Sequence, residues 1–368
     1  MPIYMDLHIV PGVKAKEAAE AHRMDILIEE EHDCKCMTYW IDEARGHVFC
    51  LIDAPDKQAV EAMHDKAHGL VPHKIIEVQT SLVESFLGRV HDPVHTAITA
   101  NGLPLISDPT FRILLLLRIA DAPLLIHRMG REKAGELIHG FNQLVRSHLA
   151  LQGVSEAEHD GNGFIVSFTT AGKALACAMS IQREMGIHDH EITGLQLAMS
   201  AGEPVSSDEQ FFGDTIRQAE RLCFITRNQR LGISAAVSAL LGTQELYGDN
   251  VNCLLPADEK WLTVLFEVLE QNAFEHSFGQ DVFCKKMAMS RSQLYRRVLT
   301  LTGFSPNELL REYRLQQAKK ALLKQLETIS GISFATGFSS PSYFIKCFKT
   351  RFGLSPLAFK EAIASLPE

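Results

Sequence analysis

Two sets of side chains in this sequence have the types and spacing to do chemistry. His64 and His68 stand four residues apart, the separation that turns two imidazoles on one helix toward a single ion, with Cys50 in the preceding candidate strand and His22 in an earlier candidate helix. Mixed imidazole and thiolate donors suit nickel, zinc or copper rather than magnesium or calcium. A histidine pair at this spacing also suits a solvated helix face, and a strand cysteine also suits a small buried hydrophobe, so spacing alone leaves both readings open. The second set is Arg291, Ser292, Gln293 and Arg296, followed further on by Ser342, Tyr343 and Lys346. Arg and Gln pair in two-pronged fashion with guanine and adenine edges in a DNA major groove, while Ser, Lys and main-chain amides mostly hold phosphates.

The elements that must position the second set are legible. Ser290 is followed three residues later by Gln293, a capping box, and Ser340 by Pro341 at a first helical position, so both groups sit at the start of helices. Leu294, Val298 and Leu301 in one helix, and Phe344 and Phe348 in the other, recur at helical spacing and predict a core-facing side opposite the polar one. Ser305-Pro306 opens a long amphipathic helix, from Asn307 to about Gln325, whose Leu309, Tyr313, Leu315, Ala318 and Leu322 predict packing against both units. Such a helix would hold two groove-reading helices about one DNA turn, roughly 34 Å, apart. Charge agrees: residues 260–360 carry 15 Lys and Arg against 7 Asp and Glu, a local +8, so with −9 overall the remainder carries −17. A basic block attracts phosphates, and the acidic remainder would be repelled by them, which casts the front of the chain as a controller.

Residues 258–364, with Arg311-Glu312-Tyr313-Arg314-Leu315-Gln316-Gln317-Ala318 and Phe352-Gly353-Leu354-Ser355-Pro356, resemble the tandem helix-turn-helix domain of AraC/XylS transcription regulators. The resemblance departs where Ser333 and Thr336 replace apolar residues before the Gly337-Phe338 turn. It implies double-stranded promoter DNA and RNA polymerase as partners. It also implies Arg291, Ser292, Gln293, Arg296, Ser340, Pro341, Ser342, Tyr343, Lys346 and Lys349 as the DNA-contacting set.

Residues 1–80 read as strand, helix, strand, strand, helix, strand: Met5–Val10, Ala15–Glu31, Lys35–Asp42, His47–Asp53, Asp56–Gly69 and Lys74–Val78, a ferredoxin-like βαββαβ order. Nine of the sixteen histidines precede Thr96. Met5-Asp6-Leu7-His8, Ala21-His22-Arg23-Met24-Asp25, Tyr39-Trp40, Val48-Phe49-Cys50-Leu51, Ala54-Pro55 and His64-Asp65-Lys66-Ala67-His68-Gly69-Leu70 together resemble the small bacterial nickel-binding ferredoxin-like proteins. That resemblance implies a metal-associated set of His8, His22, Cys50, His64 and His68. Cys34 and Cys36 form a further soft pair, spaced wrongly for a zinc knuckle and read as structural.

Between them, residues 111–248 read as a separate α/β domain, reached through a linker at 81–110 whose breakers run from Pro93 through Asn101-Gly102 and Pro104 to Asp108-Pro109. The run Phe111–Ile119, the hairpin His159-Asp160-Gly161-Asn162-Gly163-Phe164 and the segment Gln218-Ala219-Glu220-Arg221-Leu222 resemble a class III nucleotidyl cyclase domain. Those enzymes need two carboxylates to hold a metal pair. Here Arg118 and Asn162 stand in those places, Arg217 replaces a ribose-orienting asparagine, and only Arg221 matches the transition-state arginine. The resemblance therefore implies a scaffold that pairs into a homodimer without catalysis, and no catalytic residue is expected.

At 368 residues, 46% apolar and 22% charged, the chain has ample core for several soluble domains, giving a fold class of multidomain α+β and all-α. No run of 18 apolar residues predicts a membrane span, no basic-then-apolar leader opens the sequence, and eight scattered cysteines suit reduced thiols, so a cytoplasmic setting is expected.

Overall fold

The computed structural model describes all residues except 94–96, 99–103, 155, 160–162, 187–193, 206, 208, 227–229, 243–249, 325–326 and 365–368. The first unit runs β1 (Ile3–Ile9), α1 (Ala15–Ile28), β2 (Lys35–Asp42), β3 (His47–Asp53), α2 (Lys57–His68) and β4 (Lys74–Val78). Its strands pair antiparallel in the order β2-β3-β1-β4, the expected ferredoxin-like plan. Local chemistry sets the boundaries of α2. The Asp56 carboxylate accepts from the Ala59 amide at 2.8 Å, and Gly69 leaves the helix at φ 74°. The first helix stops at Ile28, earlier than its apolar pattern suggests, and Glu29–His32 tighten into a 3₁₀ turn.

The linker expected from residue 81 does not begin there. Thr80–Leu87 form a helix, α3, with Val83, Phe86 and Leu87 buried in the main core. Leu82, Val83, Phe86 and Leu87 already show helical spacing, over a stretch too short to stand out beside the breakers that follow. The buried Arg112 guanidinium caps this helix, donating to the Phe86 carbonyl from Nε at 3.1 Å, and Ser167 Oγ donates to the same carbonyl at 2.8 Å. Within the rest of the expected linker, β5 (Ala97–Ile98) and β6 (Pro104–Leu105) pair with each other. Asn101-Gly102 lies outside the described residues.

The second unit holds β7 (Arg112–Arg118), α4 (Ala122–Met129), α5 (Arg131–Gln152), β8 (Glu156–His159), β9 (Gly163–Phe168), α6 (Ala171–Met185), β10 (Gln196–Gly202), α7 (Gly213–Ile225), β11 (Leu231–Ile233), α8 (Ala235–Leu241) and β12 (Val251–Cys253). Its sheet order is β12-β11-β10-β7-β9-β8. The four strands β8-β9-β7-β10 repeat the plan of the first sheet, and β11 and β12 extend it in parallel. The unbroken apolar run in β7 follows from burial on both faces: Leu114 and Leu116 enter one core cluster, Ile113, Leu115 and Leu117 the other.

The last unit is helical: α9 (Pro256–Asn272), α10 (Gln280–Lys286), α11 (Arg291–Thr302), α12 (Pro306–Leu323), α13 (Ile329–Ala335), α14 (Pro341–Phe352) and α15 (Pro356–Ala364). Helix α12 packs on both halves. Leu309, Leu310 and Tyr313 share a cluster with Leu294 and Val298, while Leu315, Ala318 and Leu322 share another with Phe338, Phe344 and Phe348. Gly337 sits where α12 meets the loop after α9. At φ 83° a Cβ there would come 2.7 Å from the Ala273 carbonyl oxygen and 2.9 Å from Arg314 Nε, which itself donates to that carbonyl at 2.6 Å. Thr336 returns its hydroxyl to the Ile332 carbonyl at 2.6 Å, but Ser333 Oγ is buried with no hydrogen-bond partner among the described residues. Among the described residues, no helix is long and apolar enough to cross a membrane.

Two substitutions test this packing. Gly337→Ala forces an L side chain into a left-handed conformation and is expected to cost about 1–3 kcal/mol or more, read as a lowered midpoint of thermal unfolding. Ser333→Ala removes an unpaired buried hydroxyl and is expected to stabilise by about 1 kcal/mol; a loss of stability instead would show that the hydroxyl is satisfied.

Candidate metal centre and nucleic-acid interface

Strand alternation brings the first set of residues together. On β1, Met5 and Leu7 enter the core on one face of the sheet, so Asp6 and His8 project from the other, toward α1 and α2. On β3, Cys50 projects to the same side, and its amide donates to Asp6 Oδ1 at 3.0 Å. Helix α2 brings His64, fully buried, between two carboxylates: Nε2 lies 2.8 Å from Asp6 Oδ2 and Nδ1 lies 3.1 Å from Asp25 Oδ1. His68, one turn on, places Nε2 3.3 Å from His64 Nδ1 and 3.2 Å from Asp25 Oδ1. Two overlapping groups result, Asp6, His8, Cys50 and His64, and Asp25, His64 and His68; within each, one ligating atom per residue lies within 4.8 Å of the others.

The structure thus gathers His8, Cys50, His64 and His68, and sets His22 slightly apart. His22 Nε2 lies 3.4 Å from Asp92 Oδ2, its ring 5.0 Å from that of Tyr39, and it lines the same cavity of about 360 Å³ as His8, Asp25 and Cys50. Asp6 and Asp25 are the members that the spacing argument missed. The available signal was periodicity: Asp6 shares a strand face with His8, and Asp25 lies one helical turn beyond His22.

Electrostatics bind the cluster together. Burial opposes charge on His64, but the Asp6 and Asp25 carboxylates outweigh it and raise the imidazole pKa to about 10. Burial pushes Asp6 and Asp25 up, yet His8 and His64 hold Asp6, and His64 and His68 hold Asp25, below the ordinary carboxylate range. Burial, reinforced by Asp6 and Asp25, pushes the Cys50 thiol well up. The metal-free arrangement is therefore an imidazolium held between carboxylates. Its nitrogen, sulfur and carboxylate donors in a buried pocket fit a borderline transition metal, and differ from the all-oxygen shell of calcium or magnesium.

The second set lies on helix faces turned outward. Helix α11 begins as a capping box, with the Ser290 hydroxyl accepting from the Gln293 amide at 3.3 Å and Gln293 Oε1 accepting from the Ser290 amide at 3.0 Å. Gln293 is thereby held by its own cap. Arg291, Ser292, Tyr295 and Arg296 are exposed, with Arg291 Nε donating to Asp281 at 2.8 Å and Arg296 Nε to the Ser292 carbonyl at 3.4 Å. Arg297 turns inward over the Trp261 ring at 4.8 Å and anchors α11 to α9. Helix α14 begins at Ser340, whose hydroxyl accepts from the Tyr343 amide at 3.3 Å, with Pro341 at the first position; Ser342, Tyr343, Lys346 and Lys349 are exposed. At its end Arg351 Nε donates to the buried Glu312 carboxylate of α12 at 2.7 Å, fixing this helix to its support.

Comparison with known proteins finds matches over the two segments that carry these residues. A profile described as "Helix-turn-helix domain" matches residues 283–362, and one described as "Nickel responsive protein SCO4226-like" matches residues 4–78. Among curated relatives, histidine kinase P4 of Formosa agariphila is 35% identical over 103 residues, covering 28% of this chain and 8% of that protein. The HTH-type transcriptional activator RhaS of Escherichia fergusonii is 27% identical over 155 residues, covering 40% of this chain and 55% of that one. The chain thus spans little of the first relative and about half of the second. Among solved structures, SCO4226 from Streptomyces coelicolor A3(2) is 30% identical with a TM-score of 0.20, covering 21% of this chain and 94% of its own. Residues 283–362 are thus similar to a helix-turn-helix domain, and residues 4–78, which hold the buried cluster, are similar to the SCO4226-like proteins.

Removing His64 would leave Asp6 and Asp25 buried without their shared partner. His64→Ala is expected to lower metal-free stability by about 3–5 kcal/mol near neutral pH, whereas His68→Ala costs less. The depressed Asp6 and Asp25 stabilise the wild type above the ordinary carboxylate pKa and lose that contribution as pH falls, so the gap between His64→Ala and wild type narrows toward acid. Urea midpoints of the metal-free chain across pH measure it; a gap unchanged down to the acid limb would show that the carboxylates are not the cause.

Proposed function

We propose that this protein is a sequence-specific DNA-binding transcription regulator whose amino-terminal domain senses nickel, with zinc and copper as the competing ions. What carries the reading is the coexistence, in one chain, of a buried nitrogen, sulfur and carboxylate cluster with two capped, outward-facing helices on a common support. His8, Cys50, His64 and His68 would hold the ion, with Asp6 and Asp25 as further donors or charge partners and His22 at the cavity wall. Nickel, when bound, would supply positive charge that favours the Cys50 thiolate and the unprotonated His64 imidazole. Cytoplasmic promoter DNA is the partner, with RNA polymerase alongside.

In the same reading residues 111–248 are a degenerate cyclase-like scaffold that pairs the chain into a homodimer and performs no catalysis. Arg118, in place of a metal-bearing carboxylate, ends β7 and lies 3.4 Å from Glu220, so the position carries a cation. Its counterpart Asn162 lies outside the described residues. A route between the ends of the chain is available. His47, paired with Ile9 next to His8, places Nδ1 2.9 Å from Glu203 Oε2 beyond β10, and Lys319 and Lys320 of α12 reach Asp121 and Glu220 of the second unit. For that route to be regulatory, the ion must favour one arrangement by at least a few kcal/mol, on the order of 1–3 for typical coupling.

Elemental analysis of untagged protein, then operator selection with and without the element found, tests the whole reading; identical operator affinity in both states would leave a regulator without a metal response. Cys50→Ala and His68→Ala should each weaken nickel uptake in calorimetry at least tenfold. For the DNA face, Arg296→Ala should lose roughly 1–3 kcal/mol of discrimination at one base pair, while Lys349→Ala should weaken specific and random DNA alike. Equal losses on both DNAs for Arg296→Ala would remove it from base reading.

A further inference from the structure

The cavity of about 360 Å³ beside the histidine cluster holds more space than a single ion needs. One liquid water takes up about 30 Å³, whereas small-molecule sites begin at roughly 300 Å³, and this cavity belongs with the latter. Its shape follows from α1. Ala18, Ala21, His22 and Asp25 recur at helical spacing on the face turned to the sheet, and the two alanines leave unfilled what longer side chains would occupy. Val10, Val13 and Val48 continue an apolar wall that offers water few partners and suits the body of an organic molecule.

The lining also selects the sign of its guest. It includes two carboxylates, Glu17 and Asp25, and neither a lysine nor an arginine among the described residues. Asp25 is 2% exposed, and the two imidazoles that reach it, His64 at 3.1 Å and His68 at 3.2 Å, meet the same oxygen, Oδ1. Among the described residues no hydrogen bond engages Oδ2, so a buried anionic acceptor is left on the cavity wall. Glu17 is exposed, with Oε2 accepting from the Lys14 amide at 2.9 Å, and adds negative charge to the same lining. Tyr39 contributes an aromatic ring, 5.0 Å from that of His22, and ring faces attract cations. An anionic guest would meet like charge here, whereas an ammonium finds a charged acceptor.

We propose that this cavity binds a small organic ammonium with a short apolar body and no carboxylate of its own, the ammonium donating to Asp25 Oδ2 and the body lying against Ala18, Ala21 and Val48. The binding stands on the cavity alone. Because Asp25 also belongs to the histidine cluster, a bound amine and a metal ion draw on one carboxylate and exclude each other; that exclusion, unlike the binding, rests on the metal reading above.

Calorimetry on the full-length, chelator-treated protein with benzylamine and butylamine, against benzyl alcohol, benzoate and ammonium chloride, tests the site. At least one of the two amines should bind at one per chain, with the alcohol, benzoate and ammonium ion at least tenfold weaker. Asp25→Asn should weaken the amine at least tenfold, and Ala21→Leu, which fills the cavity without altering its polar side, at least fivefold. Unfolding midpoints confirm that each variant folds, and should Asp25→Asn fail to do so, Ala21→Leu decides. Binding of neither amine, equal binding of benzyl alcohol, or affinity unaltered by Ala21→Leu overturns the proposal. Nickel then separates the two readings. Amine binding lost on nickel-loaded protein supports the exclusion; amine binding that persists there keeps the site and removes the exclusion; nickel uptake by a chain that takes up no amine removes the site and leaves the metal reading standing.

Discussion

The arrangement rests on the burial of α12 from two sides at once. A helix packed on one face can tilt with its partner, but α12 inserts Leu309 and Tyr313 into the cluster of α11 and Leu315, Ala318 and Leu322 into that of α14. Neither α11 nor α14 can shift without opening a close-packed core, so their separation and relative angle are set by a rigid body. Polar contacts lock the same geometry: Arg351 to Glu312 at the end of α14, and Arg314 to the Ala273 carbonyl across Gly337. The side chains left outside these contacts, Arg296, Ser342, Tyr343, Lys346 and Lys349 among them, are those a DNA face would use.

The amino-terminal cluster follows a different logic. Its carboxylates and imidazoles are taken out of water, which is tolerable only because each finds an opposite partner: His64 between Asp6 and Asp25, His68 against Asp25, and the Cys50 amide on Asp6. The same residues that would serve as ligands therefore stabilise the metal-free fold, and His64 is the member on which both roles converge. An ion entering such a site has to exchange with protons and ion pairs already in place, so occupancy and the packing of β1, β3 and α2 are coupled.

Between these ends lies a charge asymmetry with a physical use. The front of the chain is acidic and the bundle basic, and where they meet the opposite charges pair: Lys319 with Asp121 and Lys320 with Glu220. These contacts are partly exposed, so each is worth little alone. Leu124 of α4 adds apolar burial by joining the cluster around Phe338 and Phe348. The result is a seam that holds the units together.

What the sequence determined by itself was local. Periodicity and caps placed β2, β3 and β4 at their observed ends, set the starts of α11 and α14, and offered His64, His68 and Cys50 as one candidate cluster. Period, capping and turn chemistry act within a few residues, so they are written in contiguous residues. The tertiary structure alone decided which distant groups meet. It brought Asp6 and Asp25 onto His64, turned His22 toward Asp92, recruited Thr80–Leu87 into the core, and set Arg118 and Lys320 on either side of Glu220. A carboxylate or an arginine reads as an ordinary surface residue until packing removes it from water and fixes its partner, and that partner is chosen by topology rather than by neighbours in the chain.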